Sequence, residues 1–203
     1  MICKLIVRVL LALGLINDSN GQSVVPDVFA LNKNALQVNR VKVQKNDPAL
    51  MPAYHQLLKE ADAMIATGRL YTVMEKKQLP PSGDKHDYMS IAIYYWPDPD
   101  KPNGLPYIRK DGQINPEVND YMDKVNINSM IKTVHTLSLA YYFSDDDRYA
   151  SMAINQIRAW FLDSATKMNP NFNYAQAIKG VNDGRGIGII ECREFMKVID
   201  GVG

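Results

Sequence analysis

A stretch in which proline or glycine recurs every few residues constrains the fold more than any other feature of the chain. Residues 79–115 read "LPPSGDKHDYMSIAIYYWPDPDKPNGLPYIRKDGQIN". A helix cannot pass through such a stretch, because each proline lacks a backbone N–H and clashes with the preceding turn. Only "MSIAIYYW" within it has the composition of a strand. A connection this long is functional or disordered, and its aromatic content favours a functional loop.

Helical patterns flank this loop on both sides. Before it, Asp47-Pro48 is typical of a helix start and Gly68 of a stop, with apolar residues at helical spacing between them. After it, Asn115-Pro116-Glu117 opens a second helical region, and "FSDDD" separates this region from a further helix that Asp145 or Asp146 would cap. "GIIECREFMKVI" resembles the beginning of one more helix. Because strands and helices do not alternate, the sequence predicts a mainly α fold containing an antiparallel helix hairpin.

The N-terminus is typical of an export signal. Lys4 and Arg8 flank or interrupt the apolar run "LIVRVLLALGLI", which is too short to span a bilayer. We therefore predict a signal peptide over residues 1–22, an irregular lead-in over residues 23–47 and a helical domain over residues 48–203. This organisation implies a periplasmic or secreted protein. The alternative for the first segment is a buried N-terminal helix.

Charge and motif spacing exclude several classes of partner. The formal net charge is +1, so no overall field attracts nucleic acid or an anionic membrane surface. "GRGIG" at residues 184–188 lacks the G-x-G-x-x-G spacing and does not follow a strand-like segment, so it does not predict a dinucleotide site. No cysteine–histidine spacing typical of zinc occurs, and we predict no metal. An acidic ligand would have to be held by local arginines and lysines.

Individual residues in and after the loop carry candidate binding chemistry. A guanidinium such as that of Arg185 can bind a carboxylate at two points, although an ordinary exposed arginine is equally compatible. His86 lies among turn residues beside acids and a tyrosine, a setting that suits binding or proton transfer. Tyr94, Tyr95 and Trp96 offer flat rings on which sugars stack, but such rings also plug the ends of helical barrels. Between the last two helical regions, "NPNFNYAQAIKG" could be a turn or a polar surface.

Two long strings of the sequence together resemble a known family. "PPSGDKHDYMSIAIYYWPDPDKPNGLPYIRKDGQINPE" and "MNPNFNYAQAIKGVNDGRGIGIIE" are similar to the N-terminal half of the alginate lyase superfamily domain, over roughly residues 70–195. The resemblance implies a partial (α/α) toroid of antiparallel hairpins around a cleft for an acidic polysaccharide, alginate or glucuronan-like. It also implies β-elimination at a 4-linked uronic acid without a cofactor. In that reaction the uronate carboxylate is neutralised while proton-transfer groups act at C5 and O4.

The resemblance carries over to particular residues. It implies that Asn173 neutralises the carboxylate, that Tyr174 faces the cleft and that His86 lies in the loop lining the sugar subsites. Tyr174 and His86 are the candidates for proton transfer. The residues that it places against substrate are Tyr94, Tyr95, Trp96, Asn171, Gln176 and Arg185. The Asn-His pair of the family's catalytic core has no counterpart here, so the expectation is a truncated lyase, active or inactive. The alternatives are a non-catalytic protein that binds acidic polysaccharide and a generic helical-repeat interaction module.

Overall fold

The computed structural model describes residues 26–203, and the predicted signal peptide over residues 1–22 lies outside them. The described chain is mainly helical, as predicted. Its α-helices are α1 (Lys33–Gln44), α2 (Met51–Thr67), α3 (Met122–Ser144), α4 (Asp147–Phe161) and α5 (Met196–Asp200). Short 3₁₀ helices cover Val73–Glu75, Pro116–Asp120 and Gly186–Phe195. Short strands are β1 (Met89–Ile91), β2 (Tyr95–Trp96), β3 (Ile108–Arg109) and β4 (Tyr174–Ala177).

The chain forms two compact units. The first contains residues 26–68 together with Thr133–Ala153 and Phe195–Gly203. The second contains Arg69–Lys132 and Ile154–Glu194. Within residues 26–203, no helix has both the length and the apolar character needed to cross a membrane.

The core of the first unit is built from helix faces. One buried cluster draws on three helices: Ala61, Leu137, Ala140, Tyr149 and Ala153. The chain passes from α3 to α4 through two residues, and Asp146 Oδ1 accepts a hydrogen bond from the backbone N–H of Arg148 at 3.0 Å. Asp146 therefore caps α4, as the sequence predicts. The two helices share this cluster, in keeping with the predicted hairpin.

The lead-in over residues 23–47 is not irregular throughout, because it contains α1. Asn32 Oδ1 accepts a hydrogen bond from the backbone N–H of Ala35 at 2.9 Å and caps this helix. Val38 and Val41 are about half exposed, at 53% and 48%. The apolar side chains of α1 are therefore only partly covered within residues 26–203.

Helix α2 begins later than predicted and ends where predicted. Asp47 Oδ1 accepts a hydrogen bond from the backbone N–H of Ala49 at 3.0 Å, which holds a turn, and the helix starts only at Met51. Gly68 terminates it in the left-handed region at φ 57°, where a residue without Cβ pays no steric penalty.

The proline- and glycine-rich stretch of the second unit folds into short strands joined by turns. The predicted strand "MSIAIYYW" is divided between β1 and β2, and β2 pairs with β3 in antiparallel register. Asn115 caps the following 3₁₀ helix, because its Oδ1 accepts a hydrogen bond from the backbone N–H of Glu117 at 3.0 Å. Its Nδ2 donates to the carbonyl oxygen of Tyr95 at 2.8 Å, which ties this cap to β2.

The amide-rich stretch contributes a strand as well as a turn. Strand β4 pairs in parallel with β1, with Met89 opposite Tyr174 and Ile91 opposite Ala177. Asparagine is depleted in strands, so the composition of this stretch does not predict β4. The pairing brings the second half of the amide-rich stretch beside the aromatic loop and creates the candidate site.

The final predicted helix is α-helical only at its end. Residues Gly186–Phe195 form a 3₁₀ helix, and α5 begins at Met196. Gly188 lies so close to β4 that a Cβ there would be 2.6 Å from the Cβ of Ala175. This glycine therefore permits the close approach of the 3₁₀ helix to the strand.

Candidate functional site

A buried carboxylate, that of Glu191, lies at the centre of the polar residues in the second unit. Its side chain is 1% exposed. Oε2 accepts hydrogen bonds from Tyr88 Oη at 2.5 Å and Ser90 Oγ at 2.8 Å, and Oε1 accepts one from Gln176 Nε2 at 2.6 Å. Lys124 Nζ lies 3.4 Å from Oε1. A buried carboxylate is stable only when hydrogen-bond donors surround its oxygens. Glu191 therefore holds these donors in fixed orientations.

Tyr88 acts as a fixed donor to this carboxylate. It is fully buried, and its ring packs against that of Phe172 with centroids 4.9 Å apart. Burial first, and then the charge of Glu191, raises the pKa of Tyr88 well above its ordinary value. The hydroxyl therefore stays protonated and donates to Glu191.

Gln176 links Glu191 to Arg185. While Nε2 donates to Glu191, the amide oxygen Oε1 accepts a hydrogen bond from Arg185 Nη2 at 3.1 Å. The backbone of Gln176 is also held, since its N–H donates to Ser90 Oγ at 2.9 Å. Its φ is 57°, a left-handed conformation that a residue with a Cβ rarely adopts and that functional sites often contain.

Arg185 is a half-buried cation bound to neutral groups. Its Nε donates to the carbonyl oxygen of Gln176 at 2.8 Å, and its guanidinium carbon lies 5.5 Å from the ring centroid of Tyr95. Its own backbone N–H donates to the carbonyl oxygen of Ala175 at 3.0 Å. Among residues 26–203, no acidic side chain pairs with this guanidinium. We refer to Tyr95, Gln176, Arg185 and Glu191 as the Arg185 site.

The asparagines of the amide-rich stretch have different environments. Asn171 Nδ2 donates to Asp87 Oδ1 at 3.1 Å, and Asn171 Oδ1 accepts a hydrogen bond from the backbone N–H of Asn173 at 3.1 Å. Asn171 therefore has a turn-forming role within the protein. The side chain of Asn173 is exposed, and the neighbouring Tyr174 is half-buried in β4. Asn169 Nδ2 also donates to Asp87 Oδ1, at 2.9 Å.

Asp87 anchors these amides. Burial by itself would raise the pKa of Asp87, but hydrogen bonds from Asn169, Ser82 and Asn171 together hold that pKa below its ordinary value. The carboxylate therefore remains ionised at neutral pH and keeps the turn in place.

His86 is half-buried and is hydrogen-bonded to the backbone. Its Nδ1 lies 2.6 Å from the carbonyl oxygen of Lys167, and since a carbonyl only accepts, Nδ1 carries the proton in this contact. The neutral imidazole then has a free lone pair on Nε2. In the described part of the chain, no hydrogen bond or ring contact joins His86 to Asn173 or Tyr174.

The three aromatic residues of the loop do not share one surface. Successive side chains on a strand point to opposite faces, so Tyr95 and Trp96 of β2 are on opposite sides of the ribbon. The Tyr95 ring belongs to the Arg185 site. The Trp96 ring instead lies 5.6 Å from Lys110 Nζ, and its Nε1 donates to the carbonyl oxygen of Gln113 at 2.9 Å. Tyr94 is 37% exposed.

A buried ion pair that sequence reasoning missed supports β1. Lys76 Nζ lies 2.7 Å from Asp123 Oδ2, which also accepts a hydrogen bond from the backbone N–H of Met89 at 2.9 Å. Lys76 Nζ donates in addition to the carbonyl oxygen of Asp87. Burial raises the pKa of Asp123 to about 6 although Lys76 opposes this, and burial lowers the pKa of Lys76.

A second missed cluster joins the loop to the end of the amide-rich stretch. Glu117 pairs with Lys179 Nζ and accepts a hydrogen bond from Tyr107 Oη at 2.6 Å. Lys179 Nζ lies 5.6 Å from the ring centroid of Tyr107 and 5.7 Å from that of Tyr121. Despite burial, the hydrogen bond to Glu117 raises the pKa of Lys179 above its ordinary value, so this lysine stays charged.

The structure therefore assembles some of the predicted site residues and separates others. Tyr95, Gln176 and Arg185 meet, whereas Trp96 and His86 have other neighbours. Glu191 was missed because its sequence context, "GIIEC", mixes a buried acid with exposed apolar residues; an acid among apolar residues was the one available signal. Within residues 26–203, no three His, Cys, Asp or Glu side chains are grouped so that they could hold a metal ion.

Comparison with known proteins identifies the family. Residues 72–203 match the alginate lyase family. A solved structure, described as an alginate lyase from Bacteroides ovatus at 1.60 Å resolution, is 44% identical with a TM-score of 0.82. The match covers 87% of this chain and 46% of the solved one, so the chain spans just under half the length of that relative. No curated protein matches. The chain belongs to the alginate lyase family.

Proposed function

We propose that the chain carries the uronate-binding part of a polysaccharide lyase that cleaves 4-linked uronic acid polymers, alginate or glucuronan-like, by β-elimination. The observation that carries the proposal is Arg185. Its half-buried guanidinium lies against the ring of Tyr95. No acidic side chain in the described chain forms an ion pair with it. A sugar that bears a carboxylate offers a face for the ring and a charge for the guanidinium. We further propose that the helices belong to an (α/α) toroid.

The proposed reaction sets chemical requirements that the site residues can be assigned to. The C5–H bond of the uronate breaks, a C4–C5 double bond forms, and the C4–O4 bond breaks as the leaving oxygen takes a proton. Neutralising the carboxylate makes the C5 proton acidic, a role that suits Arg185 and the exposed amide of Asn173. Tyr174 and His86 are the proposed proton-transfer groups, and Nε2 of His86 has the free lone pair that a base needs.

One observation favours a second candidate, a non-catalytic protein that binds acidic polysaccharide. In the described residues, no hydrogen bond or ring contact joins His86 to Asn173 or Tyr174. Nδ1 of His86 is instead hydrogen-bonded to the carbonyl oxygen of Lys167. A protein that binds without turnover would need the Arg185 site but not an assembled proton-transfer group. For either candidate we propose a periplasmic or secreted location, which rests on the sequence of residues 1–22.

The experiment that tests the proposal uses the whole 203-residue chain with alginate and with glucuronan. Ultraviolet absorbance of the unsaturated product measures cleavage, and calorimetry measures binding. We expect Arg185→Met to weaken binding about ten-fold or more, as expected for the loss of a charge-assisted contact. The matched control is Arg193→Met, because Arg193 is exposed and pairs with its neighbour Glu194.

Each result has a defined meaning. Cleavage that Arg185→Met lowers and Arg193→Met leaves unchanged supports the lyase. Binding without cleavage selects the second candidate. If the unchanged chain neither binds nor cleaves either polymer, or if Arg185→Met binds as tightly as the unchanged chain, the proposal is wrong.

A further inference from the structure

The side chain of Gln176 is fully used inside the protein, although the family resemblance placed it against substrate. Its Nε2 donates to Glu191 and its Oε1 accepts from Arg185. An amide can present either its oxygen or its nitrogen to a neighbour, and the neighbour on one side decides which. A guanidinium can only donate, so the oxygen of Gln176 faces Arg185 and its nitrogen faces Oε1 of Glu191.

The buried carboxylate is well suited to enforce this orientation. Glu191 Oε2 is occupied by the hydroxyls of Tyr88 and Ser90, at 2.5 Å and 2.8 Å, and Oε1 faces Gln176 at 2.6 Å. Ser90 Oγ also accepts from the backbone N–H of Gln176 at 2.9 Å. The same network therefore holds the backbone of Gln176, at φ 57°, and its side chain.

The consequence concerns the charge of Arg185. Two oxygens orient its guanidinium, the backbone carbonyl oxygen of Gln176 at 2.8 Å and the side-chain oxygen at 3.1 Å. Both oxygens are neutral. They align the guanidinium through hydrogen bonds but do not cancel its charge, as a carboxylate in the same place would. No hydrogen bond joins Glu191 to Arg185 directly in the described chain, and the amide of Gln176 bonds to both.

We infer that Gln176 is a positioning residue whose amide, oriented by Glu191, holds Arg185 in place while leaving its charge available for the carboxylate of an acidic sugar. This inference rests on the proposed function for the class of ligand. It separates two roles that the resemblance had merged: Arg185 contacts the ligand, and Gln176 orients Arg185. It also explains why an amide rather than an acid is needed at this position.

The test replaces the amide by the acid of the same shape. In Gln176→Glu, which is combined throughout with Glu191→Gln so that an amide rather than a second carboxylate faces the new acid at 2.6 Å, the new carboxylate pairs with Arg185 and competes with the ligand. We expect the affinity for a uronate oligosaccharide to fall about ten-fold or more, the size of one charge-assisted contact. Gln176→Met keeps the length but removes both hydrogen bonds, and we expect a smaller loss. Thermal unfolding followed by circular dichroism verifies that both variants are folded.

A second measurement does not depend on the ligand. Phenylglyoxal modifies accessible, unpaired arginine side chains, and mass spectrometry of peptides reports the rate at Arg185 itself. We expect this rate to fall in Gln176→Glu and not in Gln176→Met, while the rate at exposed Arg193 stays the same in both. A role of Gln176 in folding alone would not produce this difference between the two variants.

The outcomes distinguish this inference from the proposed function. Weaker uronate binding together with slower modification of Arg185 in Gln176→Glu supports the inference. If the unchanged chain binds uronate and Gln176→Glu binds equally well, or its Arg185 is modified at the original rate, the inference is overturned and the proposed function stands. If the unchanged chain does not bind uronate, the proposed function and the ligand assigned here both fall.

Discussion

Replacing Lys76 by methionine removes the cation from a buried ion pair and leaves Asp123 without it. The side chains of Lys76 and Asp123 are 3% and 0% exposed, and their charged atoms lie 2.7 Å apart. Methionine fills a similar volume, so the effect is electrostatic more than one of packing. Breaking a buried ion pair in this way costs about 3–5 kcal/mol of unfolding free energy. With a pKa of about 6, Asp123 can take up a proton at pH 7 at a cost of about 1.4 kcal/mol, which limits the loss. We therefore expect Lys76→Met to lose about 1.5–3 kcal/mol at pH 7, whereas an exposed pair would lose about 1 kcal/mol or less.

The loss depends on pH in a defined direction. Burial raises the pKa of Asp123 to about 6 from an ordinary 3.8. An acid whose pKa is raised by folding binds more protons in the folded state, so its stabilising contribution is complete below the ordinary pKa and is lost as the pH rises through about 6. Near pH 5 most of Asp123 is already neutral, and the ion pair contributes little. We therefore expect Lys76→Met to be less destabilising at pH 5 than at pH 7.

Urea unfolding followed by tryptophan fluorescence, at both pH values, measures these losses. The matched control is Lys77→Met, at the exposed neighbouring position, which we expect to change the free energy of unfolding by less than about 0.5 kcal/mol. Adding Asp123→Asn to Lys76→Met should restore part of the stability, because the amide oxygen still accepts from the backbone N–H of Met89. A loss below about 1 kcal/mol at pH 7, or equal losses at the two pH values, would refute this account of the pair.

Two further predictions concern the frame of the Arg185 site. Tyr88→Phe removes the hydroxyl that donates to Glu191 at 2.5 Å, and we expect urea unfolding to show a loss of about 1–3 kcal/mol; an unchanged midpoint would contradict it. Gly184→Ala places a Cβ 1.9 Å from the carbonyl oxygen of Asn173, so the strand must move, and we expect a loss of about 1–3 kcal/mol or more. Gly186→Ala meets no atom within 4 Å and is the control, and equal stability of the two alanine variants would contradict the second prediction.

The features that the sequence predicts correctly depend on local chemistry. Gly68 ends α2 because a left-handed residue is needed there, and Asp146 caps α4 through a bond to a residue two positions away. Asn115 caps its 3₁₀ helix in the same way. Each of these signals lies within a few residues of the element that it defines, so a single sequence contains it.

The features that the sequence does not predict depend on partners far along the chain. Helix α1 was missed because most of its residues are polar and three of its few apolar residues are valines, whose helix propensity is low. The roles of Asn171 and Gln176 follow from carboxylates about 84 and 15 positions away, at Asp87 and Glu191. Composition shows that the amides are present, but only the packing of β1 against β4 shows that they face acids of the protein itself.

The parallel pairing of β1 with β4 also has a consequence for how the protein is made. This pairing joins Ser90 and Gln176, which are 86 positions apart. Closing so long a segment costs conformational entropy before the contacts form that offset this cost. During synthesis, β1 emerges from the ribosome first and presents an unpaired edge until β4 follows. The Arg185 site is therefore completed late, and its occupancy by ligand would report that the second unit has finished folding.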